Sequence, residues 1–219
     1  TLDKADASTN TLSAAVLDEL GEALDELDRQ PPKGLVIRSG KDNGFIAGAD
    51  VNAFRGATDA GAVEMEIGRA HAVINRLEEL KIPTVAVIHG FCLGGGLEVA
   101  LACQMRIAIE DARFGFPEVM LGLHPGLGGT ARFTQLVNPM QSMPLMLTGK
   151  TIDARKAKSL GLVDAVTQER HVLNAVGASL VMVEIGQKVG PDSCPGAGRA
   201  FGSHGRRSLF ARHAGLGDH

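Results

Sequence analysis

The sequence predicts an α/β fold built around a mostly parallel sheet, and three observations lead there. Apolar stripes at helical spacing alternate along the chain with short, nearly continuous apolar runs. Those runs, at 34–38, 84–88 and 106–109, carry the composition of strands buried on both faces, as in parallel sheets. Helix patterns separate them in place of two-residue hairpin turns, so the connections are crossovers. From pattern alone the expected architecture is a doubly wound sheet.

The elements follow in order. The polar cluster Ser8, Thr9, Asn10, Thr11 and Ser13 supplies N-cap candidates for a first helix with Leu12, Val16, Leu20, Leu24 and Leu27 on one face, ended before Pro31-Pro32. Residues 34–38 form the first strand. Residues 41–44 are turn chemistry leading into the small-residue run 45–50, either an ordinary turn or a place where backbone approaches a ligand. A second helix over 61–80 aligns Val63, Ile67, Ala70, Ile74 and Leu77. Pro83 separates it from the strand 84–88. A turn and the triplet Gly94-Gly95-Gly96 lead into a helix over 97–102, then a strand at 106–109 and a polar turn at 110–113. Helices return at 140–147 and 154–160, stopped by Gly149 and Gly161. A late strand at 162–166 and a last helix from 169 to about 187 complete the core. Residues 188–219 lose apolar periodicity and become rich in Gly, Arg and His, so they are expected to be a disordered tail on a 1–187 core.

Composition narrows the function. The 219 residues, 44% hydrophobic, suffice for one sizeable core. A formal charge of −3 with scattered Lys and Arg offers no nucleic-acid surface. Cys92, Cys103 and Cys194 form neither a disulfide framework nor a Cys-x-x-Cys site, which suits free thiols in a reducing compartment. The longest uncharged run, 82–97, is too short and glycine-rich to span a bilayer, so the expectation is a soluble intracellular protein with no transmembrane segment.

Glu98 is the one formally charged side chain in the run 82–103. An ionised carboxylate removed from water needs partners or a shifted pKa. Glu118 is a second carboxylate, fixed by Phe116-Pro117 at an element boundary, and a second glycine loop follows at 122–130. The glycines do not fit a dinucleotide fingerprint. After the strand 84–88 the order is not G-x-G-x-x-G, and the 126–131 match lacks both a preceding strand and the later acidic residue. There is no H-E-x-x-H, no G-x-S-x-G and no cysteine with an identifiable base. His89 and His124 flank the glycine loops, as structural groups or as ligand contacts. The carboxylate pair beside a helix N-terminus suits chemistry that forms an enolate, with amides on the oxyanion and carboxylates moving protons. Structural helix-capping carboxylates are the competing reading.

Residues 45–51, 89–98 and 116–130, in this order, resemble the successive motifs of the enoyl-CoA hydratase (crotonase) superfamily. Ala-Cys-Gln-Met-Arg-Ile-Ala at 102–108, Leu-Thr-Gly-Lys-Thr-Ile at 147–152 and Ala-Lys-Ser-Leu-Gly-Leu-Val-Asp at 157–164 most resemble the N-terminal hydratase part of bifunctional fatty-acid oxidation alpha subunits. The resemblance implies a spiral of ββα units in place of the doubly wound sheet. It implies an acyl-CoA thioester substrate, with coenzyme A as part of that substrate and no separate cofactor or metal. By position it makes Glu98 and Glu118 catalytic and gives Ala49 and Gly95 the oxyanion-hole amides. It assigns Ala47, Gly48, Asp50, Gly94, Pro117 and Gly126 to substrate and CoA binding. It further implies 2-enoyl-CoA hydration, with 3,2-enoyl-CoA isomerisation or acyl-CoA hydrolysis as alternatives within the superfamily and a non-catalytic CoA-binding module as the alternative of another class, and a trimer-based homo-oligomer or membership of a fatty-acid oxidation complex. The compartment implied is bacterial cytoplasm or mitochondrial matrix. Two departures accompany it: the N-terminal strand is expected to be clipped, and 188–219 resembles neither the C-terminal helices nor the dehydrogenase that follow in the family.

Overall fold

Two four-stranded sheets lie at the centre of the computed structural model, which describes residues 1–50 and 59–184. The first sheet has the order β1 (Leu35–Arg38), β3 (Thr84–Ile88), β5 (Met105–Ile109), β8 (Ala165–Thr167), all pairs parallel. The second has the order β2 (Gly44–Ile46), β4 (Phe91–Leu93), β6 (Arg113–Gly115), β7 (Ile152–Asp153), with the last pair antiparallel. In sequence, β1 and β2 are followed by helix α2 (Ala60–Glu79), and β3 and β4 by α3 (Gly95–Ala102). The chain then runs through β5, β6 and a 3₁₀ turn at Pro117–Leu121 to α4 (Gly129–Leu136) and α5 (Pro139–Thr148). Each turn therefore lays one strand in each sheet, which is the ββα spiral. The doubly wound sheet expected from pattern is corrected here, because β2, β4 and β6 span three residues each, too few to show strand periodicity.

Alternation along the first sheet explains its burial. Val85, Val87, Met105 and Ile107 face α7 (Val172–Glu184), packing on Val172, Val176, Leu180 and Val183. Ala86, Ile88 and Ala108 point the other way, into the main core with Phe45, Phe114, Phe116, Leu97 and Phe133. β1 is an edge strand, and its expected burial on both faces holds only at Ile37, since Leu35 and Val36 are half-buried and Arg38 is exposed.

Helix α1 (Ala14–Arg29) starts one step later than its apolar stripe suggests. Ser13 caps it, its hydroxyl accepting from the Val16 amide at 3.4 Å. Leu12 stays outside as a buried residue in a parallel bridge with Ala49. α1 packs on α2 through Leu24, Ile74 and Leu77, while Arg69–Asp18 and Arg76–Asp25 ion pairs rim the contact. Helix α6 (Ala154–Ser159) is capped by Asp153, and the 3₁₀ turn Glu169–His171 leads into α7. The tail at 188–219, with Cys194, and the motif residue Val51 lie outside the described residues. No helix among the described residues is long and apolar enough to cross a membrane.

Candidate active site

The start of α3 brings the predicted residues together. Gly94, its N-cap, has φ +51°, a conformation that a Cβ would strain. A Cβ there would also lie 3.0 Å from Glu118 Oε1 and 3.5 Å from the Gly48 Cα, so three segments meet at this glycine. A Cβ on Gly95 would lie 3.6 Å from the Ala49 nitrogen, which sets these two residues side by side. The bridge to Leu12 decides where the Ala49 amide points. Leu12 donates to Gly48 O at 2.9 Å and accepts from the Asp50 amide at 2.8 Å, so the Ala49 N–H is turned away from Leu12. Neither the Ala49 nor the Gly95 amide donates to an acceptor among the described residues. The Gly95 amide is free for a general reason: the first amides of a helix have no intrahelical partner.

Glu98 sits in the first turn of α3 and is 2% exposed. Its Oε1 accepts from the Leu127 amide at 2.7 Å and the Gly129 amide at 2.8 Å, leaving Oε2 without a protein partner among the described residues. Burial pushes its pKa up, opposed by the two amides and the nearby Arg132 charge. Glu118 lies in the 3₁₀ turn opened by Pro117. Burial, reinforced by the Glu98 charge, raises its pKa to about 7. Its Oε2 is buried with no partner among the described residues. The two carboxyls thus lie near enough for the Glu98 charge to act on Glu118, and Glu118 Oε1 borders Gly94, next to the two unpaired amides, an arrangement able to hold an oxyanion and exchange protons next to it.

The other predicted residues take lesser places. The Ala47 amide is bonded to Asn10 O at 2.9 Å, and Asp50 pairs with Lys4 at 3.1 Å. A Cβ on Gly126 would meet nothing within 4 Å, so that glycine borders open space. His89 Nε2 lies 2.6 Å from the Lys41 carbonyl and His124 Nδ1 lies 3.0 Å from that of Pro125, so each nitrogen acts there as a donor. Cys92 and Cys103 are free and buried, and burial raises both thiol pKa values, which keeps them unreactive. Among the described residues no three His, Cys, Asp or Glu side chains gather as a metal-binding group.

Sequence reasoning missed Leu127, Gly129 and Arg132. The clue was present: a double glycine followed three residues later by an arginine, in a loop read only for its glycines. Arg132 is 8% exposed, and its Nη1 donates to the Leu127 carbonyl at 2.7 Å.

A family model described as enoyl-CoA hydratase/isomerase matches residues 1–185. The chain belongs to the enoyl-CoA hydratase/isomerase family. A fatty acid oxidation complex subunit alpha from Aliivibrio fischeri is 44% identical over 186 residues, 83% of this chain and 27% of that protein. One from Vibrio campbellii is 43% identical over 192 residues, 86% of this chain and 27% of its own length. The chain thus spans about a quarter of the length of these curated relatives. Among solved structures, an enoyl-CoA hydratase from Bacillus anthracis superposes with TM-score 0.72 at 32% identity, covering 83% of this chain and 68% of that one. An enoyl-CoA hydratase from Geobacillus kaustophilus gives TM-score 0.75 at 27% identity, covering 80% and 67%. This family member therefore has the crotonase α/β fold.

Proposed function

We propose that this chain catalyses addition of water across the 2,3 double bond of 2-enoyl-CoA thioesters, as a step in fatty-acid β-oxidation. The observation that carries the reading is the coupled pair Glu98 and Glu118, both with raised pKa, at the end of α3 that carries the unpaired Gly95 amide beside that of Ala49. The thioester carbonyl is placed on those two amides, which stabilise the enolate oxygen that develops during addition. The two carboxyls orient the water and take its proton as the hydroxyl bonds to C3, and Glu118 returns a proton to C2. Atoms balance as one water added. A Glu118 pKa near neutrality suits a group that both accepts and donates a proton at working pH. It also suits moving a proton between C2 and C4, so 3,2-enoyl isomerisation is a proposed second activity of the same residue. Ala47, Gly48, Asp50, Gly94, Pro117 and Gly126 are assigned to the walls and approach of the CoA site. Carboxylates and amides carry every step, with coenzyme A entering as part of the substrate.

Decay of the conjugated thioester absorbance of a short 2-enoyl-CoA tests the reading, with product identification separating hydration from isomerisation. Turnover is expected in the folded wild type, and its absence sinks the proposal. Glu98→Gln and Glu118→Gln are each expected to lower kcat by about 10² to 10⁴-fold. The fatty-acid oxidation relatives support membership of such a complex, in bacterial cytoplasm. The exposed Met120, Leu121, Leu123, Met140 and Leu147 support a trimer-based assembly that covers them. Size-exclusion with light scattering is expected to show a trimer; a monomer at all concentrations counts against assembly by this chain alone.

A further inference from the structure

Three consecutive peptide units link Glu98 to the far side of α4. The units on either side donate the Leu127 and Gly129 amides to Glu98 Oε1, at 2.7 and 2.8 Å. The unit between them carries the Leu127 carbonyl, which accepts from Arg132 Nη1 at 2.7 Å. Arg132 is itself gripped by α2: its Nε and Nη2 reach Glu78 Oε2 at 3.0 and 2.8 Å, and Nη2 also reaches Asn75 Oδ1 at 2.7 Å. Its amide donates to Gly128 O at 3.0 Å, closing the first turn of α4. Gly128 has φ +91°, and its Cα faces the guanidinium so closely that a Cβ would collide with Nη1 and come within 3.1 Å of His71 Nε2. The segment 127–129 is therefore folded around a planar fork anchored in another helix.

A fork suits this task where an ammonium would not. The guanidinium offers donors in fixed directions, so two contacts on α2 determine where the third points. The two amides fix Glu98 through Oε1 and leave Oε2 without a partner among the described residues, and a misplacement of about 1 Å in such a group lowers the rate by on the order of 10²-fold.

We propose that Arg132 is the positioning residue of the site, carrying the rigidity of α2 through the Leu127 carbonyl to the amides that hold Glu98 in its proton-transferring orientation. The inference rests on the acid–base role given above to Glu98. The charged and titratable groups facing Glu98 are Glu118 from the 3₁₀ turn, His124 from the glycine loop and Arg132 from α4; those facing Arg132 are Glu78 and His71 from α2. Burial raises the Glu98 pKa, and the loop amides together with the Arg132 charge oppose it, so loss of the arginine lets it rise further.

The test uses the full chain, with Arg132→Gln and Arg132→Lys compared in two readouts. One is kcat and KM across pH with a short 2-enoyl-CoA, and the other is the Glu98 titration followed by NMR of ¹³C-labelled glutamate. Arg132→Gln is expected to lower kcat by on the order of 10²-fold with KM little changed, and to move the Glu98 titration to higher pH. Arg132→Lys keeps the charge and loses the fork, so kcat is expected to fall while the titration stays nearer that of the wild type. Wild-type kcat and titration in a folded Arg132→Gln overturn the proposal. If that variant does not fold, wild-type kcat in Arg132→Lys overturns it. If the wild type fails to hydrate the substrate, the hydration reading falls, and the NMR titration alone then decides for or against Arg132.

Discussion

Glu118 joins two properties that a structural carboxylate avoids: an oxygen buried without a partner among the described residues, and a pKa raised to about 7, chiefly by burial. Linkage fixes the consequence for stability. The unfolded chain titrates this group near 4.3, roughly, so between there and about 7 the native state binds the extra proton. The associated stability is complete below the unfolded pKa and is lost as pH rises through the folded one. Urea unfolding across this window is expected to show wild-type stability falling with rising pH, and a flatter profile for Glu118→Gln. Parallel profiles would show that Glu118 is not the group responsible. Glu98 shifts in the same direction and its charge acts on Glu118, so the difference between the two proteins reports Glu118 together with its coupling to Glu98. Both carboxylates were legible in the sequence because each stands beside glycine or proline in an apolar setting. The partners of Glu98 were not, since they return to it from 29 and 31 positions away by a loop whose path no local pattern encodes.

Helices α2 and α5 and strands β3 and β5 were readable to within one or two residues, because five or more residues show a period. Strands β2 and β4 read as turns or small-residue loops, β6 was assigned no strand, and α4 was overlooked because it opens on Gly129 behind the left-handed Gly128. The element that depends most on a close approach is α3. A Cβ on Gly96 would meet the Ile46 carbonyl and lie 2.6 Å from Ile46 Cβ, so helix and strand touch where glycine leaves room. Gly96→Ala is expected to push α3 off β2, lowering stability by about 1–3 kcal/mol. The same shift carries the Gly95 amide away from Ala49, so kcat is expected to fall more than the stability loss explains. A denaturation midpoint and kcat at the wild-type level would show that the contact relaxes freely.

The spiral places two sheets on one core, and this determines how the molecule comes apart. Phe114 of β6 and Phe45 of β2 belong to the same buried cluster as Ala86 and Ile88 of β3, Ala108 of β5, Leu24 of α1 and Phe133 of α4. Phe116 and Phe133 meet with ring centroids 5.4 Å apart, and Phe116 also borders the place where Gly129 approaches Glu98. No layer of this cluster is independent, so loss of one large side chain is shared by both sheets and by the support of the site. Phe114 is 1% exposed, and Phe114→Ala is expected to lower stability by about 3–5 kcal/mol. Followed by circular dichroism and by the fluorescence of an extrinsic probe attached near the site, unfolding of the described core should remain a single coincident transition with an unchanged urea dependence. Two separated transitions would show the second sheet melting by itself, and would mean that Glu118 and Gly94 are held by something other than the shared core.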